Sequence, residues 1–191
     1  SAPEDLKKDL DVVKAAVTQN GMALQYAHAD LKKDPALVLI AVKSTGYALQ
    51  HAHDECKKNT EVVTAAVTKN SGAFEYAHVD IKKNTDVVLF VVLLDGCALQ
   101  YAHETLKKDY NVVLSAVTKN GLALQYAHED LKKNPEVVKA AVREDGMALQ
   151  HAHEDFMKSS EVVLIAVNRN GLSLEYAHAS PKNDSDTLVV C

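Results

Sequence analysis

The sequence predicts an all-α chain, a solenoid of seven 25-residue helix-turn-helix repeats plus a partial eighth, and three observations predict it. From Asp5 the chain repeats seven times without an insertion, over 5–29, 30–54, 55–79, 80–104, 105–129, 130–154 and 155–179. All nine histidines fall at two positions of that period. Within each copy the apolar residues recur at helical spacing. Equal units of this length bury their apolar faces only by stacking on one another. The expected organisation is a short extension at 1–4, one continuous array at 5–179, and a truncated copy at 180–191.

The elements follow from one copy, residues 130–154. Asn134-Pro135-Glu136 is a helix start: a capping side chain, proline at the first helical position, then an acid at the positive end of the dipole. Asp34-Pro35 repeats the signal, and Asn59-Thr60-Glu61 and Asn84-Thr85-Asp86 vary it. Val137, Val138, Ala141 and Val142 then form one face. Gly146 is expected to end the helix in the left-handed conformation, as are Gly21, Gly46, Gly96, Gly121 and Gly171. The third copy slips to Ser71-Gly72.

A second helix is expected straight after the glycine, with Ala148, Leu149, Ala152 and Phe156 as its stripe and the lysine pair in its last turn. Two helices of roughly ten residues each are too short to stand alone. Burial of two valines per copy, at roughly 1.5–3 kcal/mol each, supplies much of the stacking energy. Runs such as Val162 to Val167 are ambiguous by composition, but Ala-Ala-Val followed by x-x-Asn-Gly fits a helix C-terminus better than a strand. A leucine-rich repeat of similar period is set aside because its LxxLxLxxN signature is missing.

A net charge of -5 and a pI near 6.0 argue against a general binder of nucleic acid or acidic membrane. The longest apolar run, Val87 to Leu94, is far shorter than the ~20 residues of a membrane helix, so no transmembrane segment is expected. The opening Ser1-Ala2-Pro3-Glu4 reads as a processed or excised start. Cys56, Cys97 and Cys191 each take a slot filled elsewhere by Leu, Met, Tyr or Ala, as small hydrophobes do. That usage suits a reducing compartment such as cytoplasm or organelle stroma better than secretion.

The pattern VVxAAVxxNGxALQYA, carried by Val112 to Ala127 as VVLSAVTKNGLALQYA, resembles domain of unknown function 4116. In that family two such copies make one helical unit, and the resemblance covers essentially the whole chain. It implies a helical-repeat fold and brings no activity or catalytic residue with it.

The histidine ladder is His28, His53, His78, His103, His128, His153 and His178, with His51 and His151 replacing the tyrosine found at the matching place elsewhere. His51, His53, His151 and His153 are the candidate metal ligands. Helical geometry resists them, because residues two apart point away from each other. An axial histidine would suffice for a tetrapyrrole, but nothing else marks a pocket, so no cofactor is expected. A structural role at the seam between copies, with a ring nitrogen donated to a helix-end carbonyl, is the expectation. The lysine pairs alternate with acids that cancel their field, and no aromatic platform joins them, so no nucleic acid is expected as a partner. No nucleophile, phosphate loop or carboxylate pair stands apart from the repeat, which argues against an enzyme.

The repeat symmetry breaks on the first helix. Lys14-Ala15 of the first copy becomes Leu39-Ile40, Leu89-Phe90 and Leu164-Ile165 in the second, fourth and seventh, and Leu93-Leu94 replace polar residues of neighbouring copies. Such a helix either packs more closely between layers or presents a partner surface. These eight residues are the candidate contact site. The function classes in play are a protein-binding scaffold, an accessory subunit of a large organellar or photosynthetic assembly, and a metal- or pigment-binding protein using the histidines.

Overall fold

The structure, a computed structural model, describes residues 3–178, and the truncated copy expected at 180–191, with Cys191, lies outside them. Every regular element among the described residues is helical. Counted from its long helix, as copies are from here on, each copy opens on a ten-residue α-helix, as in Pro35–Ser44, Thr85–Leu94, Tyr110–Lys119 and Pro135–Glu144. Its start is the one the sequence spells out. The Asn134 side chain accepts the N–H groups of Glu136 at 3.0 Å and Val137 at 3.2 Å, and Pro135 fills the first helical position. Val137, Val138, Ala141 and Val142 are fully buried.

The second arm departs from the expected continuous helix. It is a six-residue 3₁₀ helix, Gly146–His151, then an extended break at Ala152, then a short turn of helix, Glu154–Met157. The other copies follow suit, with Gly121–Tyr126 before Glu129–Lys132 and Gly46–His51 before Asp54–Lys57. The reason lies at the ladder histidines. Each turns its backbone N–H out of the helical path and donates it to a carbonyl one copy back. His28 reaches Lys7, His103 reaches Lys82, His128 reaches Lys107 and His178 reaches Met157, and the seven such bonds measure between 2.9 and 3.1 Å. A continuous helix would use that N–H internally.

Long helices therefore stack on long helices and 3₁₀ helices on 3₁₀ helices along the array. Leu24, Leu49, Phe74, Leu99, Leu124 and Leu149, one from each of the first six of the six-residue 3₁₀ helices, fill the space between the columns and are fully buried. The first copy has its apolar side bare: Leu6, Val12, Val13, Ala16, Ala23 and Tyr26 line a hollow of about 480 Å³.

The glycines correct a second expectation. None has the left-handed φ predicted for it, and Asn120 and Asp145, just before two of them, are extended. What demands glycine is proximity. A Cβ on Gly46 would run into the carbonyl oxygen of Ala66, and on Gly121 into that of Ala141, at the last turn of the next copy's long helix. At these glycines copies approach through bare backbone and a methyl group does not fit; the third copy, with Ser71 in the slot, is the exception.

Candidate interaction surface

The ladder histidines from His28 to His153 are capping residues. Nδ1 accepts the N–H two residues on, at 3.3 Å for His28, His53, His103 and His128, 3.2 Å for His78 and 3.4 Å for His153. Asp30, Asp80, Asp130 and Asp155 bring a carboxylate oxygen within 3.0–3.3 Å of the same nitrogen. The role is structural, but the ring accepts a local N–H where donation to a neighbour's carbonyl was expected. The backbone amide makes the link between copies.

His51 and His151 end their 3₁₀ helices, and the extended Ala52 and Ala152 separate them from His53 and His153. The Nε2 of His51 is buried with no hydrogen-bond partner among the described residues. Burial first, then the charges of Lys32 and Lys57, hold this imidazole below its ordinary pKa, and burial followed by Lys132 does the same for His151. A cation would enter surroundings that already hold ammonium groups. Among the described residues no three His, Cys, Asp or Glu side chains converge as a metal site.

The eight apolar candidates divide into two sets. Leu39, Ile40, Leu89 and Ile165 are half-buried and pack against the core at the edges of their helices. Leu93, Leu94, Phe90 and Leu164 are exposed, Leu93 by 59 % and Leu164 by 61 %. The geometry of the fourth helix explains the split. Val87, Val88, Val91 and Val92 take the buried face, so Leu93 points outward and Phe90 and Leu94 flank it. The neighbouring long helices carry Thr68-Lys69 and Thr118-Lys119 at the places of Leu93-Leu94. An apolar island thus stands in a polar rim. Leu39-Ile40 and Leu164-Ile165 belong to other copies, two and three units along, and do not join the island.

Most ion pairs on the array are local: Lys107 meets Glu104 at 2.8 Å and Lys132 meets Glu129 at 2.9 Å, so one lysine of each pair is held within its own turn. Lys139–Glu161 at 2.7 Å and Lys58–Asp80 at 3.9 Å cross between copies. Lys32 and Lys82 instead cap the 3₁₀ helices, donating to the carbonyls of Gln25 at 2.7 Å and Glu75 at 2.6 Å. Cys56 is fully buried, its thiol 3.4 Å from the Lys33 carbonyl oxygen and pushed up in pKa mainly by that burial.

One feature escaped the reading by period and apolar phase. The seven six-residue 3₁₀ helices among the described residues together contain two charged residues, Glu75 and Glu175. Along this column Tyr47 packs edge-on against Tyr76, with ring centroids 6.5 Å apart and planes at 82°. The phenol pKa of Tyr101 is raised by burial first and then by the nearby Glu75, Tyr47, Tyr126 and Tyr76, which places these groups in one neighbourhood. In the slipped third copy a Cβ on Gly72 would lie 2.7 Å from the Tyr47 hydroxyl, the outer end of a side chain that can shift. Ser71, displaced into the usual glycine slot, donates its hydroxyl to Asp95 at 2.9 Å. The signal in the sequence was the near-absence of charge in GxALQY segments flanked by charged ones.

These features define an all-α repeat protein, built of stacked α and 3₁₀ helices closed by a backbone hydrogen bond at each step. The chain belongs to the domain of unknown function (DUF4116) family, whose model matches residues 1–32, 34–82, 84–132 and 134–180. The complete matches span two 25-residue copies each, so the family's unit is a pair of the units described above. No curated protein and no solved structure matches the chain.

Proposed function

We propose that the protein is a non-enzymatic helical-repeat scaffold that binds protein partners, with the outer face of Thr85–Leu94 at the centre of its contact surface. The observation that carries this reading is the exposed island of Phe90, Leu93 and Leu94 in a rim of threonine and lysine. Apolar side chains clustered at a polar-rimmed surface are the usual mark of a contact site. The buried thiol of Cys56, behaving as a core hydrophobe, suits a reducing compartment. Among the described residues no helix is long and apolar enough to cross a membrane.

The test is to isolate the native protein with its associated chains and compare it with the Leu93→Lys, Leu94→Lys double variant. The wild type is expected to retain a stoichiometric partner that the variant loses, at unchanged helical signal. Retention of the same partner by a folded variant overturns the assignment. An accessory subunit of a large assembly is the second reading, favoured by a long helix apolar on nearly every side. Sedimentation of the native material separates the two, since a scaffold migrates with one or a few partners and an accessory subunit with the whole assembly.

A further inference from the structure

We propose that the protein self-associates head to tail: the bare front of the first copy, around Leu10–Gln19, takes the rear face of the seventh copy of a second molecule, and the solenoid continues across the junction. These faces lie at the two ends of the array, apart from the island of Phe90, Leu93 and Leu94. The proposal does not depend on that island being a contact site.

The structure shows what such a front accepts, because six later copies present the same front and each is filled by the copy before it. Val12 is 45 % exposed, whereas its counterparts from Leu37 to Val162 are at most 4 % exposed. Ala16 is exposed where Ala41, Ala66 and Ala141 are fully buried, and Ala23 is half-buried where Ala48 and Ala123 are fully buried. With Leu6 and Tyr26 these side chains line the hollow of about 480 Å³. The surface that fits a hollow of this shape is therefore the rear of another copy, since that is what fills it at every internal junction.

Among the described residues the seventh copy carries the matching rear. Leu174 is 62 % exposed, and its counterparts from Leu24 to Leu149 are fully buried. Val163 and Val167 are half-buried where Val138 and Val142 are fully buried. In sequence the chain's own residues 180–191 are a poorer complement to this face than the first copy of a second molecule. Pro181 and Thr187 stand at the places of Leu6 and Val12, so they bring less apolar surface to it.

Register comes from the backbone. At an internal junction Gly146 lies against the Ala166 carbonyl, and the Gly46 N–H is donated to the Asn70 side chain at 3.0 Å. One further step of the same kind sets Gly171 of one molecule against the Ala16 carbonyl of the next, with Asn20 in the place of Asn70. Front and rear are different surfaces, so the contact does not close on itself. Each junction leaves a free front and a free rear, and the assembly grows as an open filament.

The whole chain is followed by sedimentation velocity and small-angle X-ray scattering from micromolar to millimolar concentration. The mass should rise with concentration past the dimer, and the particle should lengthen at constant cross-section. Val12→Lys, which spoils the front, and Leu174→Lys, which spoils the rear, should each weaken self-association at least about tenfold with helical circular dichroism retained. Mixed in equal amounts, the two variants should form a dimer and nothing larger, because one intact front and one intact rear remain. The Leu93→Lys, Leu94→Lys variant should assemble as the wild type does. A wild type that stays monomeric, growth that stops at the dimer or thickens the cross-section, or spoiled-front and spoiled-rear variants that stay apart on mixing overturns the proposal. So does loss of assembly in the Leu93→Lys, Leu94→Lys variant.

Discussion

Gly121 lies directly beneath the carbonyl of Ala141, so close that a Cβ would enter the van der Waals shell of that oxygen and also meet the amide nitrogen of Asp145 at 2.8 Å. The contact joins the start of one copy's 3₁₀ helix to the end of the next copy's long helix. It repeats between Gly46 and Ala66, Gly96 and Ala116, and Gly146 and Ala166.

A single methyl group should therefore discriminate positions. Gly121→Ala should destabilise the array by about 1–3 kcal/mol, the cost of overpacking against unyielding backbone. Gly72→Ala should cost less, because its added carbon meets only the hydroxyl end of the Tyr47 side chain, which can swing aside, and its φ is not left-handed. Thermal denaturation of the two variants side by side checks this. Equal losses would show that conformational freedom, not proximity, is what selects glycine.

That outcome bears on how far the sequence could be read. The period, the caps at Asn134 and Asn84, and the buried valines were legible because each is set by residues within a few positions of each other. The glycine was correctly marked as necessary and given the wrong cause, because the clash involves a carbonyl about twenty residues away. The broken second arm had the same origin: Ala148 and Leu149 at helical spacing suit a 3₁₀ turn as well as an α turn. What decides between them is the pull of Lys132's carbonyl on the His153 amide. Of the apolar candidates, the sequence located the right helix. It could not separate Leu89 from Leu93, since both stand four residues apart on one side and differ only in distance from the neighbouring copy.

The same distinction gives a stability test. Leu89 is half-buried against the core and Leu93 is 59 % exposed. Leu89→Lys should lower stability by about 1–3 kcal/mol, and Leu93→Lys should stay within about 0.5 kcal/mol of the wild type. Urea unfolding of the single variants measures both. A loss at Leu93 as large as that at Leu89 would place it in the packing between copies.

Acid should weaken the fold through His51 and His151. Their folded pKa values are depressed by burial and by lysines, so the unfolded chain binds protons more readily than the folded one. Stability then falls as pH drops through the ordinary imidazole value of about 6.5, and keeps falling until the lowered folded values are passed. The His51→Tyr, His151→Tyr double variant restores the residue found at matching places and should flatten the profile between about pH 7 and 5. An unchanged slope in chemical denaturation across that range would assign the sensitivity to other groups.

The amide bonds from each ladder histidine to the copy before it reach back 21 residues and no further. These backbone links are therefore addressed relative to their own copy, and none depends on how many copies precede or follow. The mean sequence separation of contacts stays constant as such an array lengthens, and with it the entropy of closing each new loop. Genetic duplication or loss of any 25-codon block rejoins the same donors to the same acceptors. Array length is thus free to drift in whole steps, while an insertion of any other size must break a link.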